Sequence, residues 1–181
     1  MRVLVDTNIV LDALLAREPF VEDARVLLEA TRSQQIQGYV TATTLTNIFY
    51  LVRRQTRSME RARQAVSMTL TLMQVCPVNR DILEAAFASN LRDFEDAVQL
   101  ACAMASRLDA IITRNAQDFA GATLPILSAS ELLDREFVLN GWLFIGSDRI
   151  FGIDENENAI ALLVLGSNRF FVWSTEHTDL S

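Results

Sequence analysis

Short apolar runs alternating with longer stretches of helical period predict an α/β fold: three layers, with a doubly wound, mainly parallel sheet flanked by helices. Two observations carry that prediction. Apolar runs recur at Val3–Val5, Gly38–Thr41, Val75–Val78, Ala110–Thr113 and Pro125–Leu127, and amphipathic segments separate them. Half of the 181 residues are hydrophobic, enough to bury a core in a chain of domain size. A third observation sets the tail apart. Four of the six Gly and seven of the fourteen aromatics follow Arg135. This divides the chain into residues 1–135 and a β-rich extension, 136–181, read as an antiparallel β-meander of about four strands.

Val3–Val5 is a buried strand, and Asn8–Ala16 a helix that must stop before Pro19. Phe20–Ser33 is a second helix, with Val21, Ala24, Leu27 and Leu28 on one face. The strand at Gly38–Thr41 leads into a helix over Thr43–Arg54, and Ser58–Met73 continues as another. Val75–Val78 is a strand. Arg80–Ala88 and Glu95–Arg107 are helices, Ala110–Thr113 and Pro125–Leu127 strands, and Ala129–Leu133 a short helix. Beyond them, turn signals at Gly146-Ser147-Asp148, Asn156-Glu157-Asn158 and Gly166-Ser167-Asn168 separate the strands of the meander.

Composition excludes several kinds of chemistry. All sixteen basic residues are Arg, so a P-loop lysine and a Schiff-base amine are both missing. The one histidine, His177, lies at the far end of the chain, which removes His-based triads and His-rich zinc sites. Cys76 and Cys102 stand in apolar surroundings and read as buried, reduced thiols. Asp6 interrupts any signal-peptide core, and no run reaches the ~20 apolar residues of a membrane span. The expectation is a soluble, cytoplasmic protein. A net charge of −7 argues against coating nucleic acid non-specifically but permits a local site. Carboxylate, amide and hydroxyl chemistry remains.

In a doubly wound sheet the ligand site lies beyond the carboxyl ends of the strands. Asp6 directly follows the first strand, Asn47 lies one turn into the helix after the second, and Asn115 and Asp118 follow the fourth. Asp96 opens the helix that precedes the fourth. Clustered carboxylates repel one another unless a cation sits among them or some are protonated, and oxygen-only donors suit Mg²⁺ or Mn²⁺ better than zinc. A plainer account competes at every position. Asp6 and Asp93 are good helix N-caps, with Asp96 completing a capping-box-like spacing. Asn115 and Asp118 are ordinary turn residues, and Asn47 can serve its own helix. Only their recurrence at one sheet edge favours a metal site.

Asp6-Thr7-Asn8, Asp93-Phe94-Glu95-Asp96-Ala97 and Ile111-Ile112-Thr113-Arg114-Asn115 with Asp118-Phe119 resemble, in order and spacing, the motifs of PIN-domain nucleases, above all the VapC-like toxins of type II toxin–antitoxin pairs. The resemblance covers residues 1–134. It implies a Mg²⁺- or Mn²⁺-dependent endoribonuclease acting on single-stranded or structured RNA, often a homodimer and often held by an antitoxin protein. Asp6 and Asp96 match the family's first and third acidic positions and are the implied metal ligands. Asn115 falls at the fourth, with Asp118 close by, and either would orient the attacking water. Asn47 stands where a Glu is usual, which removes one negative charge. Thr7, Asn8, Asp93 and Thr113 would support the ligands, and Asp93 with Glu95 would restore charge nearby. An alternative is a catalytically weakened PIN-like module that binds RNA or protein.

Arg53, Arg54, Arg57, Arg61 and Arg63 place five of the sixteen arginines within eleven residues. The first three are candidates for gripping RNA phosphates or an acidic partner, against a reading as a solvated helical surface. Phe94 and Phe119 flank the acidic residues as core side chains or base-stacking ones.

Overall fold

The computed structural model describes residues 1–139 and four further strands, 142–144, 149–153, 159–165 and 169–174; side chains are described for residues 1–135. It divides into two compact units, Met1–Ser130 and Glu131–Ser181.

The first unit is a five-stranded parallel sheet with helices. Its strands are β1 (Arg2–Val5), β2 (Gln37–Thr41), β3 (Gln74–Cys76), β4 (Ala110–Ile112) and β5 (Ile126–Leu127), ordered β3-β2-β1-β4-β5. The central strand is the most apolar: Val3, Leu4 and Val5 are wholly buried, as are Ala110, Ile111 and Ile112 on β4. Parallel strands covered on both faces read as continuous apolar runs, which is why these were visible in the sequence. Leu4 pairs in register with Tyr39 on one side and Ile111 on the other. From β1 the chain winds outward through β2 to β3, then returns to β4 on the opposite side. The β1–β4 boundary is therefore the topological switch point of the sheet.

Helices α1 (Thr7–Leu14), α2 (Val21–Arg32), α3 (Ala42–Thr56), α4 (Met59–Leu72), α5 (Arg80–Phe87) and α6 (Phe94–Ala105) connect the strands, and α7 (Ala129–Leu139) follows β5. Caps fix several starts. Thr41 accepts from the amide of Thr44, Ser58 from Arg61, Asn79 from Ile82, and Asp93 from Glu95 and Asp96. Some boundaries differ from the sequence expectation for local reasons. α1 stops at Leu14, and Ala16 then takes a positive φ of 50°. β3 ends at Cys76 because Pro77 has no N–H for the ladder. α7 runs six residues past Leu133. A 3-10 turn at Ala116–Phe119 was not expected.

One core cluster joins Leu4, Tyr39, Cys76, Val98, Cys102, Ile111 and Phe119, so Phe119 is a core side chain, whereas Phe94 is 52% exposed. Cys76 and Cys102 are buried and free, with burial pushing the Cys102 thiol up to about 11.

The second unit holds β6 (Trp142–Phe144), β7 (Arg149–Ile153), β8 (Ala159–Leu165) and β9 (Arg169–Ser174), paired antiparallel in sequence order. The expected turns at 146–148, 156–158 and 166–168, and His177, lie outside the described residues.

Candidate active site

Asp6, Asp93, Glu95, Asp96 and Asp118 lie near one another by the switch point. Asp6 leaves β1 where its backbone N–H still donates to the Ile112 carbonyl at 2.9 Å, so the residue is anchored to both central strands. It occupies the N-cap position of α1, yet its side chain makes no capping hydrogen bond. Instead Oδ1 accepts from Gln99 Nε2 at 3.0 Å, and Oδ2 accepts from Thr113 Oγ1 at 2.8 Å and from the Asn8 amide. The capping account of Asp6 thus fails in its specific form. A carboxylate that capped its own helix would not be turned toward β4 and α6. Asp6 is only 7% exposed, and these three donors replace the water it loses.

Asp93 behaves as the plain reading expects: its Oδ1 caps α6 through the amides of Glu95 and Asp96. Asp96 then stands in the first turn of α6, half-buried and within reach of the Asp6 charge. Burial first, then the charges of Asp6, Asp93, Asp118 and Glu95, push its carboxyl from the usual 3.8 up to about 7. Those four residues and Asp96 make up the acidic cluster. Residues from β1, α6 and the turn after β4 act on one carboxyl group. Thr7 donates to Glu95 Oε1 at 3.3 Å, tying α1 to α6 across the site.

Thr113, at the end of β4, links three groups. Its hydroxyl donates to Asp6, accepts from Asn8 Nδ2 at 3.1 Å and accepts from the Asn115 amide at 3.1 Å. Asn115 and Asp118 are exposed at the open side, joined within the 3-10 turn by the Asp118 amide to the Asn115 carbonyl. Asn47 is half-buried on α3 and makes no hydrogen bond to Asp6 or Asp96. Arg53 and Arg54 are exposed in the last turn of α3, and Arg57 is exposed just beyond it at a left-handed φ of 53°. None of the three contributes to the field at Asp96.

Three contributing residues escaped the sequence reading. Gln99, 1% exposed, follows Asp96 by one turn on the same helix face. Asp12 is wholly buried in α1, with Arg114 Nε 3.1 Å from its Oδ2 and Arg17 at 4.0 Å from its Oδ1. Arg114 also lies over the Phe20 ring at 4.5 Å, and its amide reaches Asn8 Oδ1 at 3.4 Å. For Asp12 and Gln99 the signal was one polar residue inside each of two apolar runs, Ile9–Leu15 and Ala97–Ala103.

Among the described residues no three Asp, Glu, Cys or His side chains close around a common point as a ready-made cage. The donor chemistry nevertheless fits Mg²⁺ or Mn²⁺. Such ions are bound by one or two carboxylates and keep several waters for the rest of the shell. Asp6 and Asp96 would supply that pair, with charge from Asp118, Glu95 and Asp93 acting on Asp96.

The sheet is parallel, and Asp6, Asp93, Glu95 and Asp118 surround Asp96 near its switch point. The model of the PIN-domain family matches residues 2–117, and the chain belongs to that family. Solved structures agree on the fold. A toxin–antitoxin complex from Klebsiella pneumoniae is 27% identical with a TM-score of 0.53, covering 70% of this chain and 97% of that one. VapC20 from Mycobacterium tuberculosis, a sarcin–ricin loop cleaving toxin, is 19% identical at 0.54, covering 67% and 96%. VapBC-1 from nontypeable Haemophilus influenzae is 18% identical at 0.54, covering 72% and 99%. No curated protein matches the sequence.

Proposed function

We propose that this PIN-domain protein is a metal-dependent endoribonuclease that hydrolyses RNA phosphodiester bonds, and that it is the toxin of a type II toxin–antitoxin pair. One observation carries the reading. Asp6 at the end of β1 and Asp118 after β4 are both near enough to Asp96 for their charges to raise its carboxyl, which supports a shared site. Family membership and the likeness to a Klebsiella toxin–antitoxin complex support the toxin role and an antitoxin partner.

Asp6 and Asp96 would hold Mg²⁺ or Mn²⁺. When bound, such an ion lowers the pKa of a water and offsets charge on the scissile phosphate. The chain's own residues supply the rest. Thr113, Asn8 and Gln99 keep the Asp6 carboxylate in one orientation. Asp118 or Asn115, both exposed at the open side, would orient the attacking water. Arg53, Arg54 and Arg57 offer cations to RNA phosphates or to an acidic partner surface. We assign the protein to the cytoplasm and to a homodimer on the same resemblance. No helix among the described residues is long and apolar enough to cross a membrane.

Asn47 favours a second reading, a PIN-fold module that binds RNA or protein without cutting, since it brings no charge and makes no hydrogen bond to Asp6 or Asp96. The test is cleavage of mixed single-stranded RNA by the full chain in Mn²⁺, Mg²⁺ or EDTA, beside Asp96→Asn. The nuclease reading expects metal-dependent cleavage that the substitution abolishes. No cleavage, together with no metal binding by calorimetry, would leave the binding module.

A further inference from the structure

The hydrogen bonds around Asp6 constrain how it can meet a cation. Oδ2 already accepts two, from Thr113 and Asn8, whereas Oδ1 accepts one, from Gln99. A carboxylate oxygen has about two acceptor positions. One position therefore remains on Oδ1 and none on Oδ2.

Gln99 is an expensive way to supply a single donor. The side chain is 1% exposed, and its Oε1 is buried without a hydrogen-bond partner among the described residues. A buried carbonyl oxygen left unpaired opposes folding, and an apolar side chain of the same shape would avoid that cost. Both neighbours of Gln99 in the helix, Val98 and Leu100, are apolar, as are Cys102 and Ala103 one turn on. The amide is thus out of keeping with its surroundings unless the bond it makes to Asp6 is what matters. Its place on α6, three residues after Asp96, sets it on the same face as the second carboxylate. One helix therefore carries both Asp96 and the group that orients Asp6.

We infer that Gln99 is a positioning residue: its Nε2 bond to Asp6 Oδ1 leaves Asp6 a single acceptor position and makes it a one-oxygen ligand for a divalent cation. This rests on the metal-site reading above and adds the residue that sets the direction of ligation. Partners that orient metal ligands typically account for a 10–100-fold effect on affinity.

The test measures Mn²⁺ binding to the full chain by calorimetry, with thermal unfolding in EDTA recorded alongside. Gln99→Met keeps length and loses the donor; Gln99→Glu keeps shape and adds a negative charge. If Gln99 acts by positioning, both variants weaken Mn²⁺ binding about tenfold or more. Their EDTA-form melting temperatures do not account for that loss. If only total charge matters, Gln99→Glu binds more tightly and Gln99→Met binds as the parent does, and the inference is overturned. If Gln99→Met does not fold, Gln99→Glu alone decides. Failure of both to fold assigns Gln99 to core packing and overturns the inference too. Binding by the parent chain that persists in Gln99→Met removes this inference alone. No Mn²⁺ binding by the parent chain removes the metal-site reading and this inference with it.

Discussion

Asp96 carries its carboxyl among Asp6, Asp93, Asp118 and Glu95, and its raised pKa links proton uptake to folding. The folded chain holds a proton there between the usual 3.8 and about 7, where the unfolded chain has lost it. Stability without a bound ion therefore falls as pH climbs through that window. In EDTA the melting temperature should decline from pH 5 to pH 7.5, and Asp96→Asn should flatten the decline and melt higher at pH 7.5. An unchanged slope in the variant would show that the cluster does not set it. Asp12 follows similar logic in a different setting. Burial raises its pKa most, with Arg114 and then Arg17 acting against it. Removing Arg114 leaves a wholly buried carboxylate with a more distant partner. Arg114→Gln should cost about 1–3 kcal/mol, below the range for fully buried pairs because Arg114 is 27% exposed. In urea unfolding the loss should grow as pH rises, since protonating Asp12 relieves it.

Among the elements, β2 shows how closely the helices approach the sheet. A Cβ added at Gly38 would lie 2.9 Å from Thr31 Cγ2 on α2 and 3.2 Å from Met73 Cγ at the end of α4. Met73 can adjust, but Thr31 is β-branched, and its hydroxyl is committed to the Leu27 carbonyl at 2.9 Å. Gly38→Ala should therefore destabilise by about 1–3 kcal/mol, and Gly38→Val by more. Chemical denaturation checks both, and a neutral Gly38→Ala would mean that α2 yields easily. At this scale the sequence was legible wherever burial was symmetrical. Val3–Val5 and Ala110–Ile112 read as strands because both of their faces are covered. Boundaries were less legible. The 3-10 turn at Ala116–Phe119 depends on the Asp118 amide meeting the Asn115 carbonyl, and no periodicity announces a single bond.

Taken as a whole, the proposed site draws on the end of β1, on α6 and on the turn after β4, so anything that holds those parts together should stabilise all of unit Met1–Ser130. An ion bound only by the folded chain adds about 2.7 kcal/mol at a hundredfold excess over Kd. Mn²⁺ should then raise the melting temperature by ~5–10 °C. Asp6→Asn and Asp96→Asn should each abolish the rise. A rise that survives both substitutions would place the ion elsewhere.

The sequence by itself determined the alternation of strands and helices, the thiols without a disulfide and the motifs around Asp6, Asp96 and Asn115. These depend on local pattern, on composition, and on short stretches whose order survives without their contacts. Tertiary structure alone decided what the carboxylates do. Asp6 and Asp93 looked equally suited to capping, and only the fold shows Asp93 capping α6 while Asp6 turns to Gln99, Thr113 and Asn8. Gln99 is ninety-three positions from Asp6, and Arg114 more than a hundred from Asp12. Such pairs exist only once the sheet brings β1 beside β4 and α6 packs on it. The energy of a buried polar group depends on partners that residue spacing along the chain cannot specify.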